Sequence, residues 1–134
     1  MKLQDFFVEL KEIARELVAG CRAGNAAVRA NLDRLYADNA VSVEAADMGG
    51  QGRETHGVKA IHGKHDWWEN AMEEHSTEVI GPFYFGDSQF SAMFKVDATD
   101  KQSGERFQME EIGVYHVKDG KIVREEFHYA VEAP

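Results

Sequence analysis

Cysteine is nearly absent from this chain. Cys21 stands alone among 134 residues, so no disulfide can form within the chain and a reducing compartment fits best. Proline is almost as scarce, and of its two copies only Pro82 falls inside a patterned segment. No stretch approaches the roughly 20 apolar residues that cross a bilayer. Met1 to Asp5 carries no basic region followed by an apolar run, so it does not read as a secretion signal. A cytoplasmic location is the resulting expectation. Basic residues are outnumbered 15 to 24, which leaves a formal net charge of -9 and a pI near 5.1. With Lys and Arg scattered rather than clustered, such a surface repels phosphate backbones and anionic headgroups, so neither nucleic acid nor membrane is an expected partner. Repeats, low-complexity tracts and linkers are also lacking.

What is present is a core-forming composition. Hydrophobic residues make up 43% of the chain, and this length suits one domain, residues 1–134, able to bury its own core. Leu3, Phe6, Phe7, Leu10, Ile13, Ala14, Leu17 and Cys21 recur at helical spacing. Gly24 ends that helix and Asn25 can cap the next, whose stripe is Val28, Leu32, Leu35 and Tyr36. The period then switches to two at Val41–Ala45, a short strand. A glycine-bearing loop follows, from Ala46 to His56. Its Gly49-Gly50-Gln51-Gly52 lacks the lysine and the strand-to-helix setting of a phosphate loop. Helical spacing returns from Gly57, with Val58, Ile61, His65, Trp68, Met72 and His75 on one face and Ala60, Lys64, Trp67 and Ala71 beside it.

From Thr77 the pattern is all strand: 77–85, 89–98, 105–117 and 121–131. Asp119-Gly120 is a strong two-residue hairpin signal, because both central positions of that turn need positive φ. Pro82 marks its run as an edge strand or the site of a bulge. Sequential hairpins imply antiparallel pairing, and helices gathered on one side of such a sheet define an α+β domain.

Four stretches carry a family resemblance: Ala23-Gly24-Asn25, Leu35 to Val41, Gly57 to Ile61, and the hairpin from Val114 to Val123. With the element order, they resemble the SnoaL-like and ketosteroid-isomerase-like proteins of the nuclear transport factor two-like superfamily, over nearly the whole chain. The resemblance implies a cystatin-like roll, in which a cone-shaped, curved antiparallel sheet and three N-terminal helices bound a mostly apolar pocket. It also implies a cofactor-independent isomerase, cyclase or dehydratase acting by proton transfer on a small apolar carbonyl compound. The alternative is a domain that only binds a small apolar or amphipathic molecule, or that assembles. A homodimer through the sheet is the expected assembly, with Ile112, Val114 and His116 on the pairing face.

Glu44 occupies the position where the isomerase-like branch carries its proton-abstracting carboxylate. Alternation sets it opposite Val41 and Val43, which equally fits a glutamate on a solvated strand face. His65 lies mid-stripe on the third helix, where it relays protons, contacts a ligand, or is a buried histidine with structural partners. His62, His65 and Glu69 have a loose metal-ligand spacing without a further ligand nearby, so no metal is expected. On the 105–117 strand the resemblance turns Phe107, Met109, Glu111, Gly113 and Tyr115 inward, which makes Glu111 a pocket acid that pairs with a base such as an arginine or His65. Glu125, Phe127 and Tyr129 share a face of the last strand. Trp68, Met72, Phe94, Met109, Tyr115, Glu125, Phe127 and Tyr129 complete the expected ligand-binding set. Two departures count against steroid-isomerase chemistry: the family's inward acid is Gly113 here, and its first-helix tyrosine donor is Leu17. Cys21 ends an apolar stripe and reads as buried and inert.

Overall fold

A computed structural model describes residues 3–47 and 49–131, with side chains from Glu9 onward. The expected stripe members Leu3, Phe6 and Phe7 therefore lie outside the described side chains. The chain runs through helices α1 (Leu3–Ala23) and α2 (Asn25–Leu35), strands β1 (Tyr36–Val43) and β2 (Glu54–His56), helix α3 (Val58–Ala71), and strands β3 (Met72–Phe85), β4 (Gln89–Asp100), β5 (Arg106–Lys118) and β6 (Lys121–His128). This is an α+β fold with three helices on a curved, open six-stranded sheet.

The α1 stripe is buried as its spacing requires, at Leu10, Ile13, Ala14, Leu17 and Val18. Leu32 and Leu35 of α2 join the same core. Buried Asn31 is satisfied on both sides: its Nδ2 donates to the Glu16 carbonyl of α1 at 2.9 Å, and its Oδ1 accepts from Arg34 at 2.9 Å. Asn25 does not cap α2 through its side chain; it is the first helical residue, with Gly24 before it. On the sheet, Phe90, Ala92, Phe94, Val96 and Ala98 of β4 alternate inward, and all are buried.

The sheet order is β2-β1-β6-β5-β4-β3. The four later strands pair antiparallel as expected, but β6 also pairs with β1, in parallel. A parallel pair cannot be a hairpin, and here the whole chain from β2 to β5 separates its two strands. Asp119 and Gly120 turn β5 into β6 with φ of 52° and 75°, as the dipeptide requires. β3 is an edge strand, and its register with β4 shifts between Ile80 and Phe83, so both expectations for Pro82 hold. Several boundaries differ from the sequence pattern, and the last strand ends at His128, so Tyr129, expected on it, lies just beyond. β1 starts at Tyr36 rather than Val41, and residues 54–56 of the expected loop form β2. Helix α3 stops at Ala71, so Met72 and His75, which continue its spacing, belong to β3. The cause is tertiary: β3 pairs with the far end of β4 from Met72 opposite Asp100, and the ladder there outweighs helix propagation.

Phe90 is fully buried and stacks on Tyr115 with ring centroids 4.8 Å apart, whereas Trp67 is 56% exposed. Phe90→Ala should cost about 3–5 kcal/mol of stability in urea unfolding and Trp67→Ala less than about 0.5 kcal/mol. Similar losses for the two would contradict this assignment of the core.

Candidate functional site

Strand register builds the site. On the inner face Ser42 of β1 sits opposite Glu125 of β6, Glu125 opposite Tyr115 of β5, and Tyr115 opposite Phe90 of β4. Glu125 is 3% exposed. A carboxyl group at that depth needs partners, and it has two: Ser42 Oγ donates to Oε2 at 2.7 Å, and the Tyr36 hydroxyl donates to Oε1. Burial raises the Glu125 pKa against these two hydrogen bonds and the charge of Lys64. Burial beside the Glu125 charge also raises the Tyr36 phenol, which keeps it a donor.

Lys64 of α3 extends the chain of contacts outward. Its Nζ donates to Ser42 Oγ at 2.8 Å and to Glu44 Oε1 at 2.5 Å. Glu44 lies two residues beyond Ser42 and shares its face, so the inward reading describes its position. Its Oε2 accepts from the Tyr129 hydroxyl at 3.2 Å. Its backbone is pinned as well, with N–H donating to the Arg53 carbonyl and C=O accepting from Arg53 Nε, each at 2.9 Å. The Glu44 and Lys64 side chains keep 25% and 27% of their surface, so the ion pair borders accessible space. Phe127 lies beneath it, its ring centroid 5.4 Å from Nζ.

Glu111 of β5 faces inward opposite Phe94, half-buried. Burial first, and then the negative charge of Glu44, push its pKa from 4.5 to about 7, with Lys64 opposing. Lys64 thus meets Glu44 and the Phe127 face directly, Tyr129 joins through Glu44, and the lysine charge acts on Glu111 and Glu125. It also acts on His65. The charges that act on it most are Arg29, Lys64, Glu69 and His62, and burial lowers its pKa to about 4, so it is neutral at physiological pH. It borders a network in which Arg29 bonds His62 Nδ1 at 2.9 Å, Glu69 at 3.2 Å and Asp66, while His62 Nε2 reaches Asp33 at 2.8 Å. That network ties α2 to α3 and explains His62 and Glu69 without a metal ligand role. The charges that act most on Glu111 are those of Glu44, Lys64, Glu125 and Glu74; neither His65 nor an arginine, the bases expected to pair with it, is among them.

The remaining expected residues divide. Tyr115 is buried between Phe90 and Phe127, and Phe94 is buried beside it. A Cβ built on Gly113 would lie 2.9 Å from the Tyr115 hydroxyl oxygen and 3.1 Å from Phe94. The space beside position 113 is therefore filled by a phenol and a phenyl ring. Met109 is half-buried opposite Val96. Trp68 packs edge-on to Phe107 and donates its indole N–H to Glu74 at 2.9 Å. Met72 belongs elsewhere, to a surface groove of about 390 Å³ with Trp67, Asn70, Ala71, Asp100, Lys101 and Gln102; none of the residues around Lys64 lines it. Cys21 is half-buried, and burial pushes its thiol up to about 12, so it is a poor nucleophile.

Three participants escaped the sequence reading: Lys64, Ser42 and Tyr36. The alternation that pairs Ser42 with Glu44 was a usable signal, since two polar residues on one strand face mark either solvent or a polar site.

Glu111 binds its proton more tightly folded than unfolded. Its contribution to stability is therefore full below about pH 4.5 and is lost as pH rises through about 7, by at most about 3 kcal/mol. Glu111→Gln keeps the shape without the titration, so chemical unfolding should show the variant gaining on the wild type from about pH 5 to about pH 8. A constant difference across that range would contradict the shift.

With this geometry in view, likeness to known proteins is informative. Residues 22–129 match the family model described as SnoaL-like domain. A candidate SnoaL-like polyketide cyclase from Mesorhizobium loti is 36% identical, with a TM-score of 0.81 over 90% of this chain and 98% of its own. A second candidate SnoaL-like polyketide cyclase, from Jannaschia sp. CCS1, shares the fold at 10% identity, with a TM-score of 0.71 over 92% of this chain and 87% of its own. So does TerC, co-crystallised with polyporic acid, at 15% identity and a TM-score of 0.69 over 91% and 92%. No curated protein matches the sequence. From its sequence match, its helix-and-sheet order and its 36% identical structural relative, this chain belongs to the SnoaL-like domain family of the nuclear transport factor two-like fold.

Proposed function

We propose that this SnoaL-like protein is a cofactor-independent isomerase, cyclase or dehydratase that moves a proton on a small apolar carbonyl compound bound at the inner face of the sheet. One observation carries the reading. Glu44 is held as the acid partner of Lys64 at the border of accessible space, and Glu111 sits close enough to feel it, with its own proton balanced near neutrality. Two carboxyl groups in unequal environments are what acid–base chemistry at neutral pH requires. Glu44 takes a proton from the carbon beside the carbonyl. The C–H electron pair becomes a carbon–carbon double bond, and the carbonyl π pair moves to oxygen. Glu111 in its acid form gives a proton to another carbon, which completes an isomerisation, and the proton taken by Glu44 passes to the Glu111 carboxylate, which restores both groups. Phe127, Tyr129 and Trp68 supply apolar and hydrogen-bonding wall. His65, neutral and set among the α2–α3 network, acts on the site through Lys64's helix rather than as the base. The candidate polyketide cyclase from Mesorhizobium loti supports the carbonyl class, since cyclisation of such chains also proceeds through an enolate-like carbanion.

A second observation favours assembly. Cross-strand register puts Phe83, Met93, Ile112 and Val114 on the outer sheet face, and Phe83 and Ile112 are 51% and 42% exposed. An apolar face of this kind suits a homodimer through the sheet.

Two experiments test these readings. Small apolar ketones that raise the melting temperature should, in D2O with the wild-type protein, take up deuterium next to the carbonyl. Glu44→Gln should slow that uptake by about 10²–10⁴-fold. Ligands that stabilise the protein yet show no uptake would reduce it to a binding domain. In sedimentation the wild type should be a dimer at micromolar concentration and Ile112→Asp a monomer, while a monomeric wild type would refute pairing through the sheet.

A further inference from the structure

Lys64 carries three N–H donors, and two are accounted for, by Ser42 Oγ at 2.8 Å and Glu44 Oε1 at 2.5 Å. Among the described residues the third has no hydrogen-bond partner. The ammonium lies over the Phe127 ring, 5.4 Å from its centroid. Lysine and glutamate border the same accessible space, each about a quarter exposed. A carbonyl compound placed with its C–H against Glu44 would therefore have a cation with an unused donor beside its oxygen.

We propose that Lys64 is a catalytic residue, the donor that receives the negative charge developing on the substrate oxygen. This rests on the proton-transfer reading above and adds to it the source of electrophilic help. Before reaction the negative charge neutralised by Lys64 is on Glu44. As the proton reaches Glu44, that charge passes through the enolate to the substrate oxygen. The cation is already in place, so the charge moves from one partner of the ammonium to another without reorganisation of the site, which is the condition for effective electrostatic stabilisation. Ser42 is the positioning residue. Its hydroxyl proton is committed to buried Glu125 at 2.7 Å, which leaves an oxygen lone pair toward Lys64 and holds the ammonium after Glu44 is neutralised. Positions 113 and 17 supply no such donor: the first is glycine and the second a buried leucine.

The test uses 2-naphthol and ring-substituted phenols of graded acidity, whose phenolates mimic a planar enolate. Ultraviolet absorbance reads the ionised fraction of the bound phenol directly. Wild-type protein should favour the phenolate, and Lys64→Met should weaken phenolate binding about 10- to 100-fold, the usual effect of losing a charge-assisted hydrogen bond. Removing Lys64 also leaves Glu44 unpaired, so the double variant E44Q/K64M separates two roles. If Lys64 touches the oxygen, the double variant stays at least about tenfold weaker than E44Q alone. If it matches E44Q, or if K64M binds like the wild type, Lys64 only partners Glu44 and the proposal is overturned while the proton-transfer reading stands. Wild-type protein that binds none of these phenols overturns both. Should K64M not fold, the ¹⁵Nζ signal of Lys64 in the wild type decides: it should move further with each more acidic phenol bound, and an unmoved signal overturns the proposal.

Discussion

Glu125 is a carboxyl group with almost no exposed surface, and the site depends on how the fold satisfies it. Its two acceptors are met by hydroxyls from one short stretch, Tyr36 and Ser42, at opposite ends of β1. That is possible because β6 returns to the middle of the sheet and runs parallel to β1, placing Ser42 beside Glu125. Leaving such a group unpaired would cost several kcal/mol, so β1, β6 and the hydroxyls are constrained together. The constraint propagates outward. A serine whose proton is spent on Glu125 can only accept from the other side, and there it meets Lys64, whose second donor fixes Glu44.

The outcome is three glutamates with different surroundings on one face of the sheet. Glu125 is deepest and bonded to hydroxyls. Glu111 is half-buried, with a proton it holds to about pH 7. Glu44 is outermost and is the ion-paired carboxylate. Three chemically identical side chains thus acquire different tasks from depth and neighbours alone. His65 shows the converse: burial and nearby cations keep it neutral, although its place on α3 suggested a relay.

Much of this architecture was legible in the sequence, because local rules decide it. The α1 stripe, the Asp119-Gly120 hairpin and the shared face of Phe90 to Val96 follow from periodicity or turn chemistry, whereas the inward facing of Glu111, Gly113 and Tyr115 came from the family resemblance. Glu44 was legible only through family resemblance. By alternation it faced opposite to two valines, and valines usually mark the core side. The Ser42 and Glu125 contact spans 83 residues and arises from a parallel register that hairpin reasoning does not generate. Lys64 looked like a flanking lysine of a helix because its partners are supplied by a different strand. Met72 and His75 kept helical spacing past the end of α3, where pairing with β4 decided the structure instead.

The account turns on Glu111 holding its proton to near neutral pH, with the charge of Glu44 among the causes. A ¹³C NMR titration of the glutamate side-chain carboxyls, with the Glu111 signal identified by its loss in Glu111→Gln, measures this directly. One resonance belonging to Glu111 should titrate at about pH 7. Titration of that resonance with the surface glutamates, near the ordinary value of 4.5, would contradict the account.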